Sequence, residues 1–501
     1  MGNDLPVGQP RTARIPSVAV GRPRRRCWQC KIGRPRQSVL TKEQFPSGDF
    51  LTQLNLSWHS PLLPFQVDGV KALLTFRHLL LADDMGLGKT IQAIAALRIL
   101  VKRGEIASCL IVAPTSLLAQ WRYELARWAP ELRVSIIRGG PDKRIHLWNS
   151  GTPVKLVGYE TMRNDVMVRI PYPAKDLQWD LDVLDEASRI KNAPTGASRA
   201  AKRLKATRRW ALTGTPLENY REDVLSILSF LAGKTPVRTA ATTEELRAIL
   251  PYVQLRRKKA NVLKDLPQKR IIDVPLDLGP HQYKAYIRAE RDGIRRLREM
   301  GPDIPIFCIL ELIIRLKQIC NRDPLSGESS KMADIRERVS AIANEGHRCL
   351  VFSQFTDGEY GVRRLSWELK EFDPILYTGA MRLDDRSEAI KRFTESPKNK
   401  AMIISLKAGG MGLNLQAASY VFHLDRWWNP AIEDQAESRA HRMGQQNQVT
   451  AYRYTARGTI EERIADILEA KRQLFAEVVD DVSIDLESAL TKSELLNLFG
   501  L

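Results

Sequence analysis

No apolar run in this chain reaches the roughly 18 residues that a membrane-spanning helix needs, so nothing in it reads as a membrane span. Cysteine is scarce: six in 501 residues, at positions 27, 30, 109, 308, 320 and 349. They are too few and too scattered for a disulfide framework. A reducing intracellular compartment is the expectation, meaning the cytoplasm, with nucleoid association in a prokaryote. The first 26 residues hold six arginines and no apolar centre of a secretory signal. Acid is also in deficit, with 58 Asp and Glu against 77 Lys and Arg and a formal charge of +19. Such an excess favours a polyanionic partner, and nucleic acid is the commonest large one. Hydrophobic residues at 44% and charged residues at 27% exclude a collagen-like or mostly disordered chain.

The first 50 residues stand apart. They carry ten Lys or Arg against three Asp or Glu, with six Pro and five Gly, and show neither helical nor strand period. This segment, taken as residues 1–55, reads as a flexible basic arm. Beyond it, runs of four to six apolar residues recur between amphipathic stretches, beginning at Leu79, Cys109, Val154, Leu181 and Trp210. A second set begins at Cys349, Pro374, Met402, Tyr420 and Val449. Such runs fit buried parallel strands, and their alternation with helices predicts an α/β fold. Two sets of about five, split by a helix-rich middle, predict two parallel-sheet lobes. The boundaries expected are 56–254 for the first lobe, 255–330 for a helical insert, 331–478 for the second lobe and 479–501 for a tail.

The turn Asp84-Met85-Gly86-Leu87-Gly88-Lys89-Thr90 follows an apolar run and opens a helical stretch. Backbone N–H groups of such a turn, with the helix N-terminus behind them, surround phosphate oxygens. Lys89 would supply charge to the β- and γ-phosphates, and the Thr90 hydroxyl would ligate Mg2+. A full P-loop pattern would put Gly at position 83, where Asp83 stands. About 95 residues on, an apolar run ends in Asp185-Glu186. Alone these would be two solvated loop acids. Beside a P-loop they suit one carboxylate on Mg2+, Asp185, and one to orient and deprotonate water, Glu186.

Taken together, these and further strings resemble the SWI/SNF-type ATPases of helicase superfamily two, over roughly residues 60 to 470. Leu63-Pro64-Phe65-Gln66 resembles the motif whose Gln reads adenine. Asp84 to Thr90 resembles the family's own P-loop, which also lacks the first Gly. Ala113 to Leu117, Gly158 to Thr161, Asp185-Glu186 and Leu212 to Asn219 resemble motifs Ia, Ib, II and III. Val351 to Phe355, Ser405 to Leu415, Asp425-Arg426-Trp427-Trp428-Asn429-Pro430 and Gln435 to Gln445 resemble the motifs of the second half. The resemblance implies two RecA-like lobes with ATP and Mg2+ in the cleft between them. Arg439 and Arg442 would then reach over as arginine fingers, where otherwise they would read as a helix-surface pair. Gly412 would join the nucleotide site. It implies contacts to double-stranded DNA from Ser116, Thr161, Ser353, Gln354, Lys407, Gly409 and Gly410, sequence-tolerant and weakened by salt. Trp427 and Trp428 suit packing rather than base stacking. Leu255 to Lys259 resembles the family segment that follows the first lobe. The overall likeness is to compact stand-alone bacterial and archaeal members, with protein partners unspecified.

Two features depart from or lie outside that pattern. Ser188 stands where the family's motif II usually has His, with an expected effect on coupling to DNA rather than on hydrolysis. Cys27 and Cys30 have zinc-ligand spacing but form only half a site. The expected activity is an ATP-driven duplex translocase. A strand-separating or annealing helicase, and an ATP-gated DNA-binding switch, are the alternatives.

Overall fold

The computed structural model describes residues 56–167, 174, 176–190, 195–214, 221–233, 243–356, 358–409, 414–427, 430–476 and 491–501. The basic arm, with Cys27 and Cys30, lies outside them.

Two all-parallel sheets organise these residues. The first contains β1 (His78–Leu81), β2 (Cys109–Ala113), β3 (Val134–Ile137), β4 (Val154–Gly158), β5 (Gln178–Leu184), β6 (Lys205–Leu212) and β7 (Gln254–Leu255), in the order β3-β4-β2-β5-β6-β1-β7. The second contains β8 (Arg270–Leu276), β9 (Cys349–Ser353), β10 (Ile375–Tyr377), β11 (Ala401–Ser405), β12 (Tyr420–His423) and β13 (Thr450–Ala456), in the order β10-β11-β9-β12-β13-β8. Each sheet is covered on both faces. In the first, Leu80, Leu110, Val112 and Leu184 enter one core, and Leu79, Leu81, Ile111 and Val183 enter the other. The second divides likewise, with Leu350, Phe352 and Ile404 on one face and Val351, Ile403 and Phe422 on the other. A strand with two dry faces gains nothing from a polar residue at every second position. That is why the central strands read as unbroken apolar runs.

The helical middle divides differently from the expected 255–330 insert. Helices Arg221–Ala232 and Thr243–Val253 supply Leu228, Phe230, Leu246 and Val253 to the first lobe's core. Within the supposed insert, β8 pairs along its whole length with β13, from Arg270↔Thr450 to Ala456↔Leu276, and is the outer strand of the second sheet. Among the described residues of that stretch, helices Pro280–Glu299 and Ile306–Asn321 pack together outside both sheets. They share a third core with Ile460 and Ile464 of helix Ile460–Ala476 and with Leu495 of helix Lys492–Asn497. The last helix therefore packs both on that helical pair and on helix Ile460–Ala476, whose Arg463 donates to the Leu498 carbonyl at 2.7 Å.

Among the described buried polar groups of the first lobe that lack a hydrogen bond, one is an acid. Asp182, midway along β5, is fully buried, and neither carboxylate oxygen has a hydrogen bond. Burial raises its pKa to about 7, with Arg209 opposing. The folded chain therefore keeps a proton that the unfolded chain loses near pH 4, and this contribution to stability falls as pH rises from about 4 to about 7. Asp182→Asn is expected to unfold at a higher urea midpoint than the parent at pH 8, by roughly 2–4 kcal/mol, with little difference near pH 4. A variant-minus-parent difference that did not change with pH would refute this.

Candidate active site

The C-terminal tips of the first sheet's parallel strands carry the expected phosphate machinery. After β1 the chain turns through Gly86 (φ +88°) and Gly88 (φ +74°) into α2 (Lys89–Lys102). Both glycines hold left-handed backbone that a side chain would strain. At Gly86 a Cβ would also lie 2.9 Å from the Cβ of Arg442, so glycine there lets the second lobe approach the loop. The Lys89 ammonium donates to the carbonyls of Asp83 at 2.7 Å and Asp84 at 3.3 Å. Burial lowers its pKa against the attraction of Glu186, Asp83 and Asp185.

Asp83 gives a physical reason for the missing glycine. Its buried carboxylate accepts from Arg257 Nε at 2.9 Å, from Arg257 Nη2 and from Gln92 Nε2 at 3.2 Å. Gln66, at the start of α1 (Pro64–Thr75), lies against the same loop. Its Oε1 accepts from the Leu63 N–H at 3.0 Å and its Nε2 donates to the Leu87 carbonyl at 3.4 Å.

Asp185 and Glu186 follow β5. Trp121 Nε1, on α3 (Leu118–Trp128), donates to Asp185 Oδ2 at 2.7 Å, and the Tyr159 hydroxyl donates to the Asp185 carbonyl at 2.8 Å. Burial and the neighbouring Glu186 raise the Asp185 carboxyl, with Trp121 and Lys89 opposing. Glu186 has φ +50°, left-handed backbone uncommon for a non-glycine residue, and its N–H donates to Asp185 Oδ1 at 3.0 Å. Strain of this kind collects at working sites. Ser188 lies half-buried in the next turn, Ala187–Ile190.

The second lobe closes the cleft. Helix Pro430–Glu437 and the turn after it bring Gln435 Nε2 to 3.5 Å from Glu186 Oε1 and Ser438 Oγ to 3.8 Å from Met85 Sδ. Arg439 and Arg442 line one cleft of about 100 Å3 with Gly86, Gly88, Lys89, Thr90, Trp121, Asp185 and Glu186. Burial and its neighbour Arg442 bring Arg439 down to about 10, still cationic at neutral pH. The helix beneath these arginines is anchored by buried charge. Glu437 accepts from Arg453 Nη2 at 2.7 Å and from Lys269, and Glu433 accepts from Arg426 Nε at 3.1 Å.

The residues expected to contact DNA lie at strand tips but do not present alike. The Ser116 Oγ and Gln354 Nε2 atoms are buried without a hydrogen-bond partner. Thr161 is half-buried on helix Tyr159–Met167. Ser353 is turned inward, its hydroxyl donating to Asp425 Oδ2. The same carboxylate accepts from the Gln354 N–H at 2.9 Å and from Asn321 Nδ2 at 3.0 Å. Ser353 thus shapes this loop through its interior contacts. Lys407 and Gly409 lie on the short helix Leu406–Gly409, while Gly410, Gly412 and Trp428 fall outside the described residues. Trp427 is half-buried against the second lobe's core, and its N–H donates to Glu433 Oε1 at 2.8 Å. Among the described residues no group of three or more His, Cys, Asp or Glu could hold a metal, and no helix is long and apolar enough to cross a membrane.

Sequence reasoning missed Trp121, and it placed Arg257 in a family segment without its partner Asp83. Trp121 sits at helical spacing with Leu118, Leu125 and Trp128, the signature of a core face. Nothing local reveals that its N–H meets an acid 64 residues away.

Residues 65–325 match the family described as the SNF2-related domain, and residues 330–444 match the helicase conserved C-terminal domain. Over 484 residues the chain is 34% identical to a putative ATP-dependent helicase/translocase, YwqA, of Bacillus subtilis, covering 89% of this chain and 51% of that protein. It is 33% identical over 443 residues to an uncharacterized ATP-dependent helicase of Mycoplasma pneumoniae, covering 84% of this chain and 42% of that one. The chain thus spans about half the length of these curated relatives. Among solved structures it is similar to the Sulfolobus solfataricus SWI2/SNF2 ATPase core in complex with dsDNA, with 30% identity, coverage of 89% and 98%, and a TM-score of 0.41.

Proposed function

The chain belongs to the SNF2-related family of helicase-type ATPases, and on that premise we propose that it hydrolyses ATP to move along double-stranded DNA. One observation carries the reading: Lys89 and Thr90, the acids Asp185 and Glu186, and Arg439 and Arg442 from the other lobe all line a single cleft. Two lobes supplying opposite halves of one site make hydrolysis depend on their approach, and that approach is the motion available for work on DNA.

The roles follow from chemistry. The amides of Gly86 to Lys89 and the Lys89 ammonium hold the phosphates, with Gln66 beside the same loop. Glu186 orients the attacking water and takes its proton. The guanidinium groups of Arg439 and Arg442 neutralise charge on the transferred phosphoryl group. Thr90 and Asp185 would hold Mg2+, which fits a buried acid set beside a second one, Glu186, whose repulsion a divalent cation would relieve. When bound, that ion would shield the β- and γ-phosphate oxygens. The cleft's room is well below the roughly 300 Å3 at which ligand sites begin, so the lobes part to admit a nucleotide. Ser116 and Gln354 would turn their unpartnered polar atoms to DNA phosphates, together with Thr161, Lys407, Gly409 and Gly410. The translocase reading also draws on the B. subtilis relative's name and on the chain's excess of basic residues.

The test is steady-state ATP hydrolysis with no nucleic acid, with single strands and with duplex, using Lys89→Ala as the blank. Duplex stimulation absent from the blank is the expected result. Duplex binding without turnover above the blank would overturn the motor in favour of an ATP-gated switch.

Trp121 provides a narrower check. Trp121→Phe keeps the packing but removes the donor to Asp185. It should lower activity, or raise the Mg2+ needed for half-maximal rate, by roughly ten- to a hundred-fold. An unchanged Mg2+ titration at unchanged rate would rule out that role.

A further inference from the structure

Residues 256–269 join the two lobes, and they are fastened at both ends to the site itself. On the first lobe's side, the Ala82 N–H donates to the Leu255 carbonyl at 2.8 Å and the Asp84 N–H to the Arg257 carbonyl at 3.0 Å. Arg257 spans the Asp83 carboxylate, Gln92 Oε1 at 2.9 Å and the Phe65 carbonyl. The Lys259 N–H donates to Asp84 Oδ2 at 2.7 Å. Both acids ahead of the glycine turn are thus engaged by the connector. On the second lobe's side, Lys269 reaches Glu437 and the His441 ring nitrogen Nε2 lies 2.8 Å from the Pro267 carbonyl.

Lys259 alone among these touches both lobes. Its backbone is held by Asp84, and its ammonium donates to the His441 carbonyl at 2.6 Å. His441 lies between Arg439 and Arg442 in the chain, so this bond fixes the middle of the turn that carries both arginines. The surroundings are otherwise unfavourable for a cation. Lys89, Lys269 and Arg442 crowd it, and burial with their repulsion brings it to about 8, with Asp84 opposing. Cations gathered around a cleft are relieved when anionic phosphate enters.

We propose that Lys259 is a positioning residue for catalysis, a strut that sets Arg439 and Arg442 in register with the P-loop. The inference rests on the ATPase reading above and adds a residue that does not itself line the cleft. It links the Asp84 carboxylate ahead of the glycine turn to the reach of the arginines through one residue.

The test uses the full chain with Lys259→Met, which keeps length and loses the donor, and Lys259→Arg, which keeps a charged donor. Duplex-stimulated kcat and KM for ATP are measured, with equilibrium binding of a fluorescent ATP analogue. The methionine variant should lose roughly ten- to a hundred-fold in kcat, with KM and analogue affinity within about three-fold of the parent. The arginine variant should recover much of the rate. Combined with Arg439→Ala, Lys259→Met should cost little more, because both act through the same turn. A methionine variant as fast as the parent would overturn the inference. So would a loss seen only in KM and analogue binding, or an arginine variant as slow as the methionine one with an equally lowered melting temperature. A parent no faster than the Lys89→Ala blank overturns the ATPase reading, and this inference with it. A working parent beside an equally fast Lys259→Met overturns this inference alone.

Discussion

Arg439→Ala is expected to reduce duplex-stimulated kcat by roughly a thousand-fold or more while leaving ATP binding largely intact. The size follows from its position. Arg439 is 6% exposed in a cleft it shares with Lys89, Asp185 and Glu186, so a developing negative charge there would meet little competing water. The first lobe supplies the P-loop contacts to a bound triphosphate, which is why affinity survives. Arg439→Lys should restore little, because an ammonium cannot span two phosphoryl oxygens as a planar guanidinium does. Single-turnover hydrolysis with saturating ATP separates the cases. A drop smaller than about ten-fold would remove Arg439 from the chemistry.

The second large effect is on folding. Lys331, at the start of helix Ser330–Asn344, and Glu461, at the start of Ile460–Ala476, form an ion pair with exposures of 1% and 0%. The ammonium lies 2.7 Å from both carboxylate oxygens and 3.3 Å from Asn321 Oδ1, and Glu461 Oε2 also accepts the Ala456 N–H at 2.9 Å. Glu461→Ala strands the lysine charge in the interior and should cost roughly 3–5 kcal/mol, read as a lower urea midpoint. Replacing both partners, as Lys331→Met with Glu461→Leu, should cost less than the single change, because no unpaired charge remains. A double variant less stable than the single would show that the pair contributes net stability beyond avoiding that penalty.

What could be read from the sequence depended on how local the signal was. β2 and β9 are buried on both faces, and their apolar runs announce them. The P-loop turn and the acid pair also lie within a few consecutive residues. β3, at the edge of its sheet, buries only Ile137 fully, so Val134-Ser135-Ile136 carries no continuous run. β8 is also an edge strand and includes Pro275, with Val274 as its one fully buried residue. An edge strand tolerates proline because one side of its backbone is unpaired, and that tolerance hides it. Trp121 escaped, and so did the partners of Arg257 and Lys259, for another reason: each acts on a residue between 64 and 182 positions away. Such pairs carry no periodicity.

The pairing of β8 with β13 also imposes an order on synthesis. Every strand of the first sheet lies between residues 78 and 255, so that lobe has all its strands soon after the polymerising chain leaves the ribosome. The second lobe begins with an outer strand at 270–276 whose neighbour arrives only at 450–456. Through that interval β8 has no sheet to join, and the unpaired edges of β8 and β12 are open to other nascent chains. Contacts that far apart in sequence close slowly. A message truncated between β12 and β13 would therefore release a finished first lobe tethered to a sticky half-sheet. In a cell expressing this chain, chaperone demand should fall on the second lobe.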